Sequence, residues 1–132
     1  MPHCKSTNYF LGLSLVLLLA LSGCTKPTKI EGLDAEKFGK DAKGCNGYRS
    51  SIKPLLEAHL LDFKSLSEPE IIATLGPADR KDLSSRSQKY FLYYLSGAPD
   101  CPNQDSVVGR PVVLLIRFNS LNRVTESSIG LD

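Results

Sequence analysis

The chain has no tryptophan, one methionine and two histidines, and it carries little excess charge of either sign. Its most apolar segment, from Phe10 to Leu21, is shorter than the roughly 20 residues that a membrane-spanning helix needs. A formal net charge of +2 does not indicate the strongly basic face that nucleic-acid binding requires. These shortages argue against a membrane-spanning protein and against a nucleic-acid-binding protein.

Residues 1–23 have the organisation of a secretion signal. A polar start that contains Lys5 precedes the Phe10–Leu21 run, and small residues follow where a peptidase must fit the chain. The ending Leu-Ser-Gly-Cys resembles a bacterial lipobox, in which the cysteine receives a diacylglycerol and cleavage occurs just before it. The resemblance implies cleavage between Gly23 and Cys24 and lipidation of Cys24; the alternative is an unmodified cysteine.

Lipid on Cys24 would anchor the protein to the periplasmic side of a membrane. Each buried acyl CH₂ contributes roughly 0.8 kcal/mol, so two or three chains hold firmly where one chain binds only marginally. Thr25 stands where aspartate retains enterobacterial lipoproteins in the inner membrane, and this favours the outer membrane. Residues 24–32 are predicted to be the lipidated cysteine and a tether, and residues 33–132 a single domain.

The first half of that domain has helical signals. Asp34 is expected to cap a short helix, and apolar residues from Ile52 to Phe63 recur at helical spacing, with the helix beginning near Lys53. Ser67 and Glu70 form a capping-box pattern for a helix that should stop at Gly76.

The second half changes to a period of two. Strands are predicted at 89–96, 112–118 and 123–129, with a turn at 119–122 and a short edge strand at 80–83. The fold class is therefore α+β, with two or three short helices packed on one face of a three- to four-stranded antiparallel sheet. The other sheet face is also apolar, and either the N-terminal segment covers it or a partner does.

Cys45 and Cys101 are the cysteines that remain after Cys4 and Cys24 are assigned to the signal and the lipid. In an exported protein such a pair favours a disulfide over a reactive thiol or half of a metal site. A disulfide between them would close a loop of over fifty residues. Closing it would stabilise the fold by about 4 kcal/mol in the chain-entropy model.

Several segments resemble the small outer-membrane lipoproteins of the SmpA/OmlA (BamE) type. They are the signal with its lipobox, the phrase Ser67–Asp79, the aromatic strand Tyr90–Tyr94 and the closing hairpin Leu115–Val124. The resemblance covers roughly residues 60–129, and it implies a helix–helix–sheet fold and an accessory role in outer-membrane β-barrel assembly. The chain departs from that family in its Cys45/Cys101 pair, its long loop after Gly97 and its hairpin turn.

A second resemblance is to a group of Bacteroidetes-type lipoproteins that we associate with no activity. It rests on Phe38–Asp41 and Gly44–Arg49, together with Tyr93-Tyr94 and Ile116–Asn119. This group is the nearer of the two in motifs, and it implies a lipoprotein without implying a function.

Neither a nucleophile with its base nor a set of metal ligands stands out at the usual spacing. His59, the one histidine after the signal, lies in an amphipathic helix and is interpreted as a helix-surface residue. We therefore expect a protein that is not an enzyme and has no cofactor, metal or nucleic-acid ligand. A hydrolase built from paired carboxylates, or a small-ligand binder, is the least favoured alternative.

Arg49 and Arg117 are the charged residues that could contact a protein partner, since arginine binds carboxylates in a two-pronged geometry. The alternative is that each lies on the surface and pairs with a nearby acid such as Glu126. The sequence thus predicts a lipid-anchored envelope protein with an interaction or scaffold role, accessory to outer-membrane assembly. The alternative function is a periplasmic or surface inhibitor of a hydrolase.

Overall fold

The computed structural model describes residues 28–84, 86, 88–102 and 109–132. The predicted signal 1–23, the predicted lipidation site Cys24 and the first residues of the predicted tether lie outside the described residues. Within the described part of the chain, no helix is long and apolar enough to cross a membrane.

The helical half consists of short elements. It contains α1 (Ala35–Lys40), α2 (Tyr48–Ser51), α3 (Lys53–Ala58) and α4 (Glu68–Leu75), with 3₁₀ turns at Ala42–Gly44 and Leu60–Phe63. Asp34 caps α1 as predicted, since its carboxylate accepts hydrogen bonds from the first backbone N–H groups of the helix. The predicted capping box of α4 and its end before Gly76 are also confirmed.

The apolar spacing suggested a single helix over the stretch from Ile52 to Phe63, but the structure does not form one helix there. α3 begins at Lys53 with Pro54 in its first turn, as expected, but it ends at Ala58, and a 3₁₀ turn follows. A 3₁₀ turn aligns residues three apart, so it keeps Leu60 and Phe63 on the side that faces the core. The apolar stripe therefore predicted burial correctly and helix length wrongly.

The sheet has four antiparallel strands in the order β1-β2-β3-β4. They are β1 (Arg80–Leu83), β2 (Lys89–Ser96), β3 (Val112–Phe118) and β4 (Val124–Leu131). The fold is α+β, as predicted from the sequence.

One face of the sheet packs against the helices and forms the main core. Its fully buried residues include three phenylalanines of different elements, Phe38 of α1, Phe91 of β2 and Phe118 of β3. Ile30 of the predicted tether joins this core and is 5% exposed. The tether prediction is therefore too long at its C-terminal end, because the chain is already packed at Ile30.

The second face of the sheet carries a smaller apolar cluster. Leu92, Tyr94 and Val113 are buried there against Ala98 and Cys101 of the loop that follows β2. The expectation that the N-terminal segment would cover this face is wrong for the described residues, since Ile30 packs on the opposite side. The loop that begins at Gly97 covers one part of the second face.

Candidate functional site

Arg49 lies inside the protein and is 1% exposed. Its Nε donates to the carbonyl of Phe38 at 3.0 Å, and one terminal nitrogen donates to Tyr94 O at 3.1 Å and to the carboxylate of Asp79. The guanidinium carbon also lies 4.3 Å from the centre of the Phe38 ring. The prediction of a partner contact at Arg49 is therefore wrong, and so is the alternative of a surface arginine, because the residue is buried and bonds to groups inside the protein.

Two buried aspartates complete the surroundings of Arg49. Asp79 accepts hydrogen bonds from the backbone N–H groups of Lys43 at 3.0 Å and Tyr94 at 2.8 Å. Asp41 accepts from the backbone of Asn46 at 2.6 Å and of Arg49 itself at 2.8 Å. Buried charges persist only when they are paired and hydrogen-bonded, and this arrangement meets both conditions. We call Asp41, Arg49 and Asp79 the buried polar cluster.

The predicted Cys45–Cys101 pair is next to this cluster. The two Sγ atoms lie 2.00 Å apart and the two Cα atoms 5.4 Å apart, which is disulfide geometry. Cys45 belongs to the loop whose backbone bonds to Asp41, and Cys101 follows the strand that holds Tyr94. The bond and the cluster therefore fasten the helical half to β2 at the same place.

Arg117 occupies the second face of the sheet, in β3. Its guanidinium forms an ion pair with Glu126 of β4 at 2.7 Å, which confirms the alternative of a surface arginine paired with that acid. The side chain is 37% exposed. Its Nε is buried and has no hydrogen-bond partner among the described residues. A partner contact at Arg117 stays a prediction, and the exposed part of its guanidinium is the group that could make it.

Arg80 lies on the same face, at the β1 edge. It bonds both carboxylate oxygens of Asp132, at 2.8 and 3.0 Å, and its Nε donates to Asp82 at 3.0 Å. The bond from Arg80 lowers the pKa of Asp132, and the same bond raises the pKa of Arg80. Tyr94 donates its hydroxyl proton to Asp132 at 3.1 Å, so the three groups form one network.

A shallow cleft of about 350 Å³ runs along this face. Its lining combines the charged residues Arg80, Asp82 and Asp132 with Tyr90, Leu92 and Leu115. Tyr90 lies opposite Arg117 in the β2–β3 register, so Arg117 is next to the cleft. The name second-face patch is used below for the following residues: Arg80, Tyr90, Leu115, Arg117, Glu126 and Asp132.

Sequence reasoning found Arg117 and its acidic partner Glu126, but it missed Arg80 and Asp132 of the second-face patch. Arg80 pairs with Asp132 across 52 positions of sequence, a distance that no local pattern spans. The alternation of Tyr90, Leu92 and Tyr94 was the available signal, since it places all three on one face of β2.

A second cleft, of about 560 Å³, lies between the segment 28–35 and α4. Its walls include Ile30, Leu33 and Ala73, with Thr28 bonded through its N–H to the hydroxyl of Thr74 at 3.0 Å. His59 is elsewhere and bonds Asp62 within the same 3₁₀ turn. Within the described residues, no group of three or more histidine, cysteine, aspartate or glutamate side chains could hold a metal ion.

Comparison of the chain with protein-family models, with curated proteins and with solved structures finds no match. The resemblance to the BamE-type lipoproteins therefore depends on the motifs given above. Any function must be argued from the sequence signals and from the two faces of the sheet.

Proposed function

We propose that the chain is a lipid-anchored protein of the outer membrane that binds another protein and acts as an accessory to outer-membrane assembly. The observation that carries the binding role is the second-face patch, in which the partly exposed side chains of Tyr90, Leu115 and Arg117 lie together. The anchoring role depends on the lipobox at Cys24, and the assembly role depends on the BamE-type motifs.

The patch has the composition of a binding surface. Tyrosine and arginine are enriched among residues that dominate protein–protein affinity, and Tyr90 and Arg117 lie opposite each other on neighbouring strands. Leu115, half-buried beside them, supplies apolar area. A carboxylate of a partner would pair with the exposed part of the Arg117 guanidinium.

The fold can hold this surface in one shape. The sheet under the patch is fixed on its other side by the main core and at one end by the Cys45–Cys101 bond. A preorganised surface loses less conformational entropy on binding than a mobile one. This suits a scaffold protein, whose contribution is a fixed docking face.

Crosslinking in living cells tests the proposal. The tagged chain would be expressed in its native membrane, with a photoreactive phenylalanine analogue at position 90, and the captured proteins would be identified. Cys24→Ala removes the predicted anchor. Arg117→Ala removes the Arg117 guanidinium from the second-face patch, and Arg123→Ala is the matched control, because Arg123 is an exposed arginine on the adjacent hairpin.

Capture of barrel-assembly subunits that is lost with Cys24→Ala and Arg117→Ala, but kept with Arg123→Ala, is the expected result. Capture of one hydrolase would instead support the inhibitor function. Capture that does not depend on Arg117 would contradict the role of the second-face patch, and a protein that stays membrane-bound after Cys24→Ala would contradict the anchor.

A further inference from the structure

Asn46 and Gly47 form the one asparagine–glycine pair in the sequence. The pair follows Cys45 and leads into α2, for which Gly47 is the N-cap residue. Asparagine is among the chemically less durable residues, because the main-chain nitrogen of the next residue can attack its side-chain amide. Glycine has no side chain to hinder that approach. The pair is therefore the place in the chain where such a reaction is chemically easiest.

The side chain of Asn46 is free to react. The residue is exposed, and its side-chain amide has no hydrogen-bond partner among the described residues. Its main-chain N–H is held, since it donates to Asp41 at 2.6 Å. An exposed and unbonded amide can rotate toward the following residue, and water can reach it.

The attacking nitrogen, that of Gly47, is also not engaged in another bond. Within the described part of the chain, no acceptor is found for the Gly47 N–H. The carbonyl of Gly47, by contrast, accepts hydrogen bonds from the N–H of Ser51 at 3.1 Å and from the hydroxyl of Ser50 at 2.8 Å. The start of α2 is thus fixed through this carbonyl, while the nitrogen stays available.

Two other described asparagines lack these features. The side-chain oxygen of Asn119 accepts hydrogen bonds from the N–H groups of Leu121 at 2.9 Å and Arg123 at 3.0 Å. The side-chain oxygen of Asn122 accepts from Nζ of Lys89 at 3.0 Å. Each of these asparagines is also followed by a residue that carries a side chain. They serve as internal references for the reactivity of position 46.

We propose that Asn46 is a site of spontaneous deamidation, a covalent modification whose only co-reactant is water. The Gly47 nitrogen loses its proton and bonds to Cγ of Asn46, and the bond from Cγ to Nδ2 breaks, so that the side-chain nitrogen leaves as ammonia. Water then opens the cyclic imide. Cleavage between the Gly47 nitrogen and Cγ gives aspartate, and cleavage between that nitrogen and the original main-chain carbonyl carbon gives isoaspartate. Nothing is oxidised or reduced.

The modification acts on the buried polar cluster. Asp41 accepts hydrogen bonds from the N–H groups of Asn46 and Arg49. The disulfide to Cys101 fixes the preceding residue, Cys45. In isoaspartate the main chain runs through the former side chain and is one atom longer at position 46, which displaces N–H groups from Asp41. Either product also adds a negative charge beside that buried carboxylate. The proposal does not depend on the lipid anchor or on the second-face patch.

The test uses the full-length chain, purified from its native membrane and incubated at several pH values. Mass spectrometry of the digested samples measures the conversion of each asparagine from amide to acid, and electron-transfer fragmentation identifies isoaspartate. Conversion at position 46 should be roughly tenfold faster than at Asn119 or Asn122 of the same sample, because glycine follows only position 46. The rate should rise with pH, because the attacking nitrogen must lose its proton.

Asn46→Gln keeps the amide but lengthens the side chain by one methylene. Conversion at position 46 should then fall roughly tenfold, because ring closure loses its favourable geometry. Asn122→Gln is the matched control, since Asn122 is an exposed asparagine of the hairpin, and it should leave conversion at position 46 unchanged. After the same incubation the amide of Arg49 should exchange its hydrogen faster in the native chain, but not in Asn46→Gln.

Equal conversion at positions 46, 119 and 122, or none at position 46, would overturn the proposal. So would a rate that Asn46→Gln leaves unchanged. Conversion at position 46 without faster exchange at Arg49 would contradict the effect on the buried polar cluster. Circular dichroism shows that both variants are folded, and the comparison of the three asparagines in the native chain needs no variant.

Discussion

At the scale of single residues, the most informative position is Arg49. A buried ion pair is not in itself stabilising, because both charges lose their hydration on burial. In this fold Arg49 compensates by donating to two backbone carbonyls as well as to Asp79, and by stacking on Phe38. It therefore connects α1, α2 and β2, and its structural role is to fix the relative positions of these three elements.

Removing one partner of this pair should be costly. Arg49→Met or Asp79→Asn is expected to lower the free energy of unfolding by about 3–5 kcal/mol, since each leaves a buried group without its partner. Urea denaturation monitored by circular dichroism measures this. Arg117→Met is the control, because it removes an exposed pair and should cost about 1 kcal/mol or less. Equal losses in Asp79→Asn and Arg117→Met would contradict the structural role of the buried pair.

Two glycines make a second residue-scale prediction. A Cβ on Gly44 would lie 2.7 Å from the backbone carbon and oxygen of Leu95, and the residue has a φ of +66°. Gly44→Ala should therefore destabilise the fold by at least the roughly 1–2 kcal/mol of a left-handed residue. Gly39, in α1, has no atom within 4 Å of an added Cβ. Gly39→Ala should raise stability by about 0.5–1 kcal/mol, and opposite shifts in thermal melting midpoint would show the contrast.

At the scale of elements, hydrogen bonds in the first turn of α4 determine where this helix begins and help to stabilise it. The hydroxyl of Ser67 donates to the carboxylate of Glu70 at 2.6 Å, and the Ser67 N–H donates to the same oxygen at 2.7 Å. The hydroxyl bond is the main cause of a lowered pKa at Glu70, followed by the backbone bond. The helix has eight residues, too few to be stable alone, so this cap and the packing of Ile71 hold it together.

Ser67→Ala should cost about 1 kcal/mol of folding free energy, the usual value for losing a serine N-cap. It should also raise the pKa of Glu70 toward its ordinary value, which NMR titration of the carboxyl carbon measures. Because the folded pKa is lowered, the stabilisation by ionised Glu70 is present above its ordinary pKa and is lost as the pH falls through the folded pKa. The variant should therefore lose less stability on acidification, and Ser67→Thr, which keeps the hydroxyl, should behave like the native chain.

The sequence predicted the strands better than the helices for a physical reason. β2 and β3 were predicted at their observed bounds because each is a short run of aromatic and aliphatic residues that is bounded by polar and turn-forming residues. The Ile52–Phe63 stripe marks which side is buried, and an α-helix and a 3₁₀ turn both satisfy it. An apolar stripe alone therefore predicts which side of a helical stretch is buried, but it does not predict where the α-helix ends.

At the scale of the whole molecule, the fold class and the cysteine pair were predictable, but the buried polar cluster was not. An even pair of cysteines, in a chain that the sequence predicts to be exported, indicates a bond regardless of the fold. Arg49 and Asp79 are 30 positions apart, and each looks like an ordinary surface charge in its own segment. Their meeting depends on how the helices pack on β2, which no local pattern records. The same holds for Arg80 and Asp132 in the second-face patch.

The disulfide gives the prediction that concerns the whole molecule. Cys45→Ser combined with Cys101→Ser opens a loop with a sequence separation of 56, and it should lower the free energy of unfolding by about 4 kcal/mol in the chain-entropy model. Urea denaturation of the native chain with and without reductant should show the same loss, whereas reductant should not affect the double variant.

The position of the bond adds a second expectation. Because Cys45 lies between the residues that bond Asp41 and Asp79, its release frees the loop that holds the buried polar cluster. The hydrogen exchange of the Tyr94 amide, which donates to Asp79, should then accelerate more than that of the amides at the N-terminal end of β2. A uniform increase along β2 would mean that the bond acts on the unfolded chain alone, whereas an increase centred on Tyr94 would show that it also supports the cluster in the folded protein.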